Sequence, residues 1–309
     1  MNSLPTSSIV LTDEVRRALE HGEGIVALES TIVVHGLPAS VNLEVARECE
    51  LAVRAGGAVP ATIGVIGGVL RVGMTGDELT ALADPFREVA KLSARDLGFA
   101  VAQRLDGATT VAGTIAIAQR AGIAVMATGG LGGVHRGAAE SFDESADLTA
   151  LARTSVVVVA SGAKSILDVG ATLERLDTLG VPVWGYRTKQ FPGFYLSDSG
   201  YGLDWSLDSP EEVASAFAAH RRVSMTGVLL AQPIARERQL DPALHDAALA
   251  AALAVVEARG VRGKEVTPVL LEEFARHSAG LSVQVNRELV VANARLAGAV
   301  AHSLASGSE

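Results

Sequence analysis

The chain has one cysteine, few aromatic residues and no long uninterrupted apolar run, and each shortage excludes a class of protein. Cys49 is the only cysteine among 309 residues, which excludes a disulfide scaffold or a thiolate metal site within one chain. Aromatic residues make up 4% of the sequence, a composition that suits helix-on-sheet packing better than an aromatic-rich β-sandwich. The densest apolar run, around Val156–Ala160, is far too short to cross a bilayer.

Targeting signals and a surplus of positive charge are also missing from the sequence. Met1 to Thr12 contains no basic region followed by an apolar stretch, so we expect a soluble, cytoplasmic protein without a membrane partner. The formal net charge of −9 disfavours a general nucleic-acid binder, which needs many basic contacts to phosphates. A small anionic substrate is compatible with this charge, because a few local cations and backbone N–H groups can hold one phosphate.

Short β-branched runs alternate with amphipathic helical patterns along most of the chain. The predicted strands are Ile25–Ala27, Ala61–Ile66, Ala124–Ala127, Ser155–Ala160, Val183–Tyr186 and Val228–Ala231. The predicted helices between and after them are Asn42–Ala55, Gly76–Ala83, Thr110–Ala121, Ile166–Leu179, Pro210–Arg221, Ala243–Arg259, Val269–Ser278 and Ser282–Leu304. Continuous apolar strands alternating with helices predict a largely parallel or mixed sheet covered on both faces. We therefore expect a single α/β domain over residues 1–309 with a helical C-terminal layer.

Two polar side chains follow predicted strands, where open α/β sheets place their ligand crevices. Glu29 follows the first strand and is either a surface strand end or a general acid/base in a partly dry cleft. Lys164 follows the run Ser155–Ala160. A structural lysine usually prefers a solvated helix face, so this position favours a nucleophilic amine. Such an amine has to be neutral at working pH, which burial or a second ammonium, here Lys91, would favour. Taken alone, Lys91 is better interpreted as an ordinary surface lysine near a helix start.

Two loops have the composition of anion-binding sites. The glycine-rich segment Thr128–Gly137 lets the backbone approach a ligand, and His135 and Arg136 add donors. The spacing differs from that of a dinucleotide fingerprint. The segment Gly107–Val111 opens a helix whose N–H groups could hold phosphate, although Thr109 could equally be a plain N-cap.

Carboxylates and amides later in the chain have both functional and structural interpretations. Asp143 and Asp147 are four residues apart; they could hold a hard divalent cation together with water, or Ser145 could simply cap the helix that carries Asp147. Asn286 and Asn293 are seven apart and share a helix face. They could bind a ligand or line a polar face.

A series of motifs resembles the pseudouridine-5'-phosphate glycosidases, a family also known for its similarity to indigoidine synthase A. The resemblance runs from about residue 8 to about residue 300. It is carried by segments 26–32 with His35-Gly36, 59–63, 66–68, 107–111, 127–137, 142–147, 162–168 and 263–268. The loop Phe191–Gly200 departs from the family pattern, because it lacks an arginine after its aromatic pair.

The resemblance implies a three-layer α/β/α sandwich, a homotrimer and a divalent metal, typically Mn²⁺. It implies that Lys164 is the nucleophile and Glu29 the proton donor, with Asp143 at the metal. The expected substrate-binding residues are Lys91, Val111, Ser145, Ala146, Asp147, Thr128, His135 and Asn286. The implied reaction is reversible cleavage of pseudouridine 5'-phosphate to uracil and ribose 5-phosphate. Alternatives are a Schiff-base sugar-phosphate aldolase or lyase and a non-catalytic nucleotide-binding accessory protein.

Overall fold

Eleven strands form one sheet in the part of the chain that a computed structural model describes, residues 9–38, 41–261 and 266–307. The strands are β1 (Ile9–Leu11), β2 (Ile25–Leu28), β3 (Val59–Ile66), β4 (Val69–Val72), β5 (Ala90–Leu92), β6 (Gly107–Thr109), β7 (Val125–Ala127), β8 (Val157–Ala160), β9 (Val183–Tyr186), β10 (Trp205–Leu207) and β11 (Val228–Ala231). Their order is β1-β4-β3-β2-β7-β8-β11-β9-β10, with β6 paired to β3 and β5 paired to β6.

The sheet is parallel except where β3 pairs with its two antiparallel neighbours, β4 and β6. Every residue of β2, β7, β8 and β11 is buried. Successive strand residues point to opposite faces of a sheet, so this burial means that the centre of the sheet is covered on both sides. The expected α/β architecture with a largely parallel or mixed sheet is confirmed.

Twelve α-helices surround the sheet within the described ranges. They are α1 (Asp13–Glu20), α2 (Asn42–Ala55), α3 (Gly76–Leu82), α4 (Leu97–Ala102), α5 (Val111–Arg120), α6 (Ala138–Ser141), α7 (Ala146–Leu151), α8 (Val169–Thr178), α9 (Pro210–Val223), α10 (Pro242–Arg259), α11 (Val266–His277) and α12 (Leu281–Ser306). Helix α12 packs with α2 and α9 and against β2, β7 and β8, whereas α5 packs on α7 and against β2 and β3. The expected helical C-terminal region is present as α10, α11 and α12.

Helix α12 is long and apolar enough, by length and composition, to span a membrane, and in the described residues it alone meets that test. Half of the most apolar 18-residue stretch of this helix is nevertheless buried inside the protein. Leu289, Ala294 and Val300 of this helix belong to the same core as the central strands. Helix α12 is therefore the core helix on which the sheet packs.

The structure changes one helix boundary that matters for the site. The helix predicted over Ile166–Leu179 begins only at Val169, because Asp168 is its N-cap and accepts a hydrogen bond from the N–H of Ala171 at 2.9 Å. The residues between β8 and this cap stay outside the helix. This irregular segment of bridges and turns places Lys164 at the cavity described below.

Candidate active site

A cavity of about 410 Å³ opens at the carboxyl ends of β2, β6, β7 and β8. Strands β2, β7 and β8 are parallel neighbours, so the residues that follow them meet at one edge of the sheet. All eleven predicted site residues line this cavity: Glu29, Lys91, Val111, Thr128, His135, Asp143, Ser145, Ala146, Asp147, Lys164 and Asn286. The structure thus gathers the whole set, while the role of each residue stays a prediction.

Glu29 is a buried carboxyl with a hydroxyl on each oxygen. Its side chain lies at the end of β2 and is 7% exposed. Thr31 Oγ1 donates to Oε2 of Glu29, and Thr128 Oγ1, from the end of β7, donates to Oε1. Both threonines are themselves buried. These two hydrogen bonds fix the orientation of the carboxyl group in the cavity wall.

Lys164 is positioned by a backbone ladder between the segment after β8 and the glycine-rich loop after β7. The N–H of Lys164 donates to the carbonyl of Leu131 at 3.0 Å, and the N–H of Leu131 donates to the carbonyl of Gly162 at 2.9 Å. Gly162 has φ +78°, and a Cβ there would lie 2.1 Å from the carbonyl oxygen of Pro192. The close approach that Gly162 permits keeps the lysine-bearing segment packed against the Phe191–Gly200 loop.

Asp147 holds two other cavity segments together. Its Oδ1 accepts from the N–H of Ala112 at 2.9 Å, and its Oδ2 accepts from the N–H of Gly132 at 3.0 Å. The carboxylate therefore bridges the first turn of α5 and the glycine-rich loop. Ser145 is the N-cap of α7 and accepts from the N–H of Asp147 at 3.2 Å, as the structural interpretation of this segment predicted.

The first turn of α5 is capped by a different residue from the one proposed. Thr110, and not Thr109, is the N-cap and accepts from the N–H of Gly113. Thr109 is fully buried, and its hydroxyl donates to the carbonyl of Ile63 at 2.9 Å. Since the N–H groups of Ala112 and Gly113 already have protein acceptors, this turn offers a phosphate fewer donors than the sequence suggested.

His135 and Asp143 lie together on another wall of the cavity. The N–H of His135 donates to the backbone carbonyl of Asp143 at 3.0 Å. Burial lowers the pKa of the His135 imidazole, the Asp143 carboxylate opposes that effect, and the ammonium groups of Lys164 and Lys91 lower the pKa further. Two ammonium groups thus act electrostatically on the same imidazole.

The donor set around Asp143 limits how a divalent cation could be held. No group of three or more His, Cys, Asp or Glu side chains converges on a metal position within the described ranges. Asp147 is committed to two backbone N–H groups, which leaves Asp143 as the available carboxylate of the pair. Mg²⁺ and Mn²⁺ accept hard oxygen ligands, and Mg²⁺ keeps several of its waters when one or two carboxylates hold it. The residues present fit a water-held cation at Asp143 and do not form a full protein cage.

Of the two asparagines of α12, one has a side chain available to a ligand and the other has a structural role. Asn286 lines the cavity and is 7% exposed, and its Oδ1 is buried without a hydrogen-bond partner in the described residues. Asn293 is fully buried, and its Nδ2 donates to the carbonyl of Thr128 and to Oγ of Ser161. Asn286 is thus available to a ligand, whereas Asn293 braces the ends of β7 and β8.

Several cavity residues were not identified from the sequence. Thr31, Ser93, Arg95 and Phe194 line the cavity, but none of them is itself a charged residue at a predicted strand end. For three of them, proximity in sequence to a predicted site residue could have indicated a place in the cavity. Thr31 is two residues after Glu29, and Ser93 and Arg95 closely follow Lys91. Phe194, at φ +65°, fills the space that a side chain at Gly130 would need.

One motif of the resemblance is only partly covered by the structure. Of the segment 263–268, residues 263–265 lie outside the described ranges. Thr267 and Pro268, in the first turn of α11, line the cavity.

The fold and this cavity define an α/β enzyme in which an amine that follows β8 and a carboxyl group that follows β2 line one space. A family model described as "Indigoidine synthase A like protein" matches residues 14–303. A pseudouridine-5'-phosphate glycosidase of Salinispora tropica is 59% identical over 93% of this chain and 89% of its own length. One of Saccharopolyspora erythraea is 51% identical over 98% of this chain and 100% of its own.

Two solved structures are also similar over nearly the whole chain. The prealnumycin C-glycosynthase AlnA, in complex with ribulose 5-phosphate, gives a TM-score of 0.90 at 41% identity and covers 98% of this chain and 99% of its own. An indigoidine synthase A-like protein of Thermotoga maritima gives 0.87 at 33% identity, covering 99% and 100%. The chain belongs to the indigoidine synthase A-like family, as the motifs indicated, and it is an enzyme of the class that these relatives represent.

Proposed function

We propose that the chain cleaves the C1'–C5 bond of pseudouridine 5'-phosphate, reversibly, to give uracil and ribose 5-phosphate, with Lys164 as the covalent nucleophile. The observation that supports this most directly is the convergence of Lys164 and Glu29 in one cavity. The names of the relatives supply the substrate. The pentulose phosphate bound to the C-glycosynthase supports a sugar-phosphate site.

The chemistry of a C-glycoside explains the need for an amine. An N-glycoside leaves through a heteroatom, so two carboxylates and an oxocarbenium-like transition state are sufficient. In pseudouridine the sugar C1' is bonded to a ring carbon of uracil, which has no lone pair to protonate. An amine bonded to C1' provides iminium character, and this is the electron sink that breaking a carbon–carbon bond requires.

In the proposed sequence Glu29 gives its proton to the ring oxygen O4', which opens the sugar while Lys164 becomes bonded to C1'. The proton that the amine loses is passed to C5 of uracil and the C1'–C5 pair of electrons goes to uracil, leaving an iminium between Lys164 and C1'. Water adds to the iminium, releases ribose 5-phosphate and the free amine, and returns a proton to Glu29. The net reaction consumes one water, and the same steps run in reverse form the C-glycoside.

The remaining cavity residues are assigned to binding. Lys91 assists proton transfer and contacts substrate, and Val111 lines the sugar-phosphate region. Asn286 offers a buried, unpartnered Oδ1, which suits an N–H donor such as the uracil imide. We assign further contacts to Thr128, His135, Ser145, Ala146 and Asp147, the last through the two backbone segments that its carboxylate holds.

A divalent cation, Mn²⁺ by resemblance, is proposed to be held by Asp143 together with water. When bound, it would supply positive charge to the anionic groups of the substrate.

The resemblance further supports a cytoplasmic homotrimer. Light scattering of the purified protein measures the oligomeric state.

The decisive experiment combines turnover with trapping. The wild-type protein with Mn²⁺ should release uracil from pseudouridine 5'-phosphate, followed by absorbance, and borohydride should reduce a sugar phosphate onto Lys164, located by peptide mass spectrometry. Lys164→Ala should lose both signals, while Lys189→Ala, at an exposed lysine, should keep both. Full activity in Lys164→Ala would exclude this mechanism. Turnover of deoxyribose or ketose phosphates would instead indicate an aldolase, and binding without turnover an accessory protein.

A further inference from the structure

The cavity contains two buried carboxyl groups that are held by chemically different donors. Both oxygens of Asp147 accept from backbone N–H groups, those of Ala112 and Gly132. Both oxygens of Glu29 accept from hydroxyl groups, those of Thr31 and Thr128. Asp147 is 5% exposed and Glu29 is 7% exposed, so burial does not distinguish them, whereas the donor type does.

A backbone N–H can only donate, so a carboxyl between two such groups is stabilised as the anion and is poorly held once protonated. A hydroxyl both donates and accepts. It donates to the carboxylate, and after a rotation of its O–H it accepts from the protonated carboxyl group. The two threonines can therefore hold Glu29 in either protonation state, which the donors around Asp147 cannot do for that residue.

We propose that Thr31, which is not among the expected site residues, is a positioning residue that allows Glu29 to release and regain its proton without losing its orientation. The inference rests on the proposed function, since it presupposes that Glu29 transfers a proton. Thr31 is suited to this task because it is buried, lines the cavity and is two residues from Glu29 on the turn that leaves β2. Thr128 provides the second hydroxyl, from β7.

Other ionisable groups surround Glu29. The buried thiol of Cys49, on α2, interacts electrostatically with Glu29. Lys91 and Lys164 line the same cavity. The remaining ionisable groups in the cavity wall are His35, Arg95, Asp96, His135, Asp143, Glu144 and Asp147. The substitution of Thr31 leaves the identity of all these ionisable groups the same, so we attribute a change in the protonation of Glu29 in that variant to the lost hydroxyl.

The test compares Thr31→Val, which replaces the hydroxyl with a methyl group, with Thr31→Ser, which keeps it. For Thr31→Val we expect kcat with pseudouridine 5'-phosphate to fall by about 10- to 100-fold, with a KM within about threefold of wild type. The alkaline limb of the pH–rate profile, on which the rate falls as the proton donor Glu29 loses its proton, should move to higher pH, because the anionic carboxylate loses a donor. Thr31→Ser should stay within about threefold of wild type. Thr178→Val, which removes an exposed hydroxyl on α8, is the matched control and should behave as wild type.

Borohydride trapping with ribose 5-phosphate separates this role from a general loss of structure. The open-chain aldehyde of ribose 5-phosphate reacts with Lys164 without protonation of O4'. Thr31→Val should therefore still give the trapped Lys164 adduct from ribose 5-phosphate, although it turns over the C-glycoside slowly. Equal loss of turnover and trapping, a Thr31→Ser variant as slow as Thr31→Val, or unchanged kcat in Thr31→Val would each overturn the inference.

A measurement without turnover keeps the two hypotheses distinct. Absence of uracil release by the wild-type protein refutes the proposed function before any variant is compared. In carboxyl ¹³C NMR, with the Glu29 signal assigned by Glu29→Gln, that signal should titrate at higher pH in Thr31→Val than in wild type. Identical titration curves would contradict the role of Thr31 whatever the enzyme's substrate.

Discussion

Asn293 Nδ2 donates to the backbone carbonyl oxygen of Thr128 at 2.9 Å, so an amide on the C-terminal helix holds the end of β7. The same nitrogen donates to Oγ of Ser161 at 3.1 Å, in the residue that follows β8. The two strand ends that lead to Thr128 and Lys164 are therefore tied to one fully buried side chain on α12. The geometry of the cavity depends on a helix some 130 residues further along the chain than Lys164.

Replacement of Asn293 by leucine should destabilise the protein strongly. The substitution leaves the carbonyl of Thr128 and the hydroxyl of Ser161 buried without this donor, at about 1–3 kcal/mol for each unpaired group. We expect the free energy of unfolding in urea to fall by about 2–4 kcal/mol. Asn286→Leu is the matched variant on the same helix face, and it should cost less than about 1 kcal/mol because Oδ1 of Asn286 has no protein partner to lose. Equal losses in the two variants would contradict the distinction.

Replacement of Asp147 by asparagine should loosen two cavity segments at once. One of the two acceptor oxygens becomes an NH₂ group that faces a backbone N–H, either Ala112 or Gly132. We expect a loss of about 1–3 kcal/mol in unfolding free energy together with a higher KM for the sugar phosphate. Asp177→Asn, on the exposed side of α8, should change neither quantity. A normal KM in a destabilised Asp147→Asn protein would indicate that this bridge serves stability alone.

Replacement of Asn286 by alanine should weaken substrate binding without preventing the covalent step. If Oδ1 accepts from the leaving base, kcat/KM for pseudouridine 5'-phosphate should fall by about 10- to 100-fold. Trapping of ribose 5-phosphate on Lys164 should stay near the wild-type level, because that sugar carries no base. A parallel loss of trapping would instead place Asn286 at the sugar.

Removal of the divalent cation should abolish turnover, and Asp143 should set how much cation restores it. After treatment with EDTA, the Mn²⁺ concentration for half-maximal activity should be about 10- to 100-fold higher in Asp143→Ala than in wild type. Glu144→Ala is the control, since that neighbouring carboxylate already pairs with Arg175 at 2.8 Å. An identical Mn²⁺ requirement in the wild type and Asp143→Ala would exclude Asp143 as the metal residue.

Cys49 should be unreactive in the folded protein and should reduce its stability at alkaline pH. Burial raises the pKa of the Cys49 thiol from 9.0 to about 12. Between these values the unfolded thiol has lost a proton that the folded thiol keeps, so folding stability from this group is lost as the pH rises. The unfolding free energy of wild type minus that of Cys49→Ala should fall by up to about 1.4 kcal/mol per pH unit in this range. A disulfide reagent should modify the thiol only after denaturation.

The sequence predicted the buried strands of the sheet better than its edges. Strands β9 and β11 occur with the predicted bounds, because a continuous apolar run between two helices has few other places in a soluble fold. Strands β1, β5, β6 and β10, of three residues each, and β4, of four, were not predicted. Three residues carry almost no periodicity, and such strands form only because a neighbouring strand offers its hydrogen-bonding groups.

The sequence predicted which residues line the candidate site, but it did not predict their hydrogen-bond partners. Charged residues at strand ends and the family motifs identified Glu29, Lys164 and Asp143, and all three line one cavity. The sequence did not indicate that Asp147 binds two backbone N–H groups while Glu29 binds two hydroxyls. Both are carboxylates in local sequences that look equally suited to a site, and the difference comes from residues that are distant in sequence, such as Thr128 for Glu29 and Gly132 for Asp147.

The sequence by itself determined the alternation of strands and helices, the family and the lysine at the end of β8, since these depend on local pattern and on motifs that stay contiguous along the chain. The tertiary structure alone decided which hydrogen-bond donors face each carboxyl group and which asparagine of α12 remains available to a ligand. The physical reason is that donors act over about 3 Å, and the side chains within that distance of one another come from the ends of different strands and from α12.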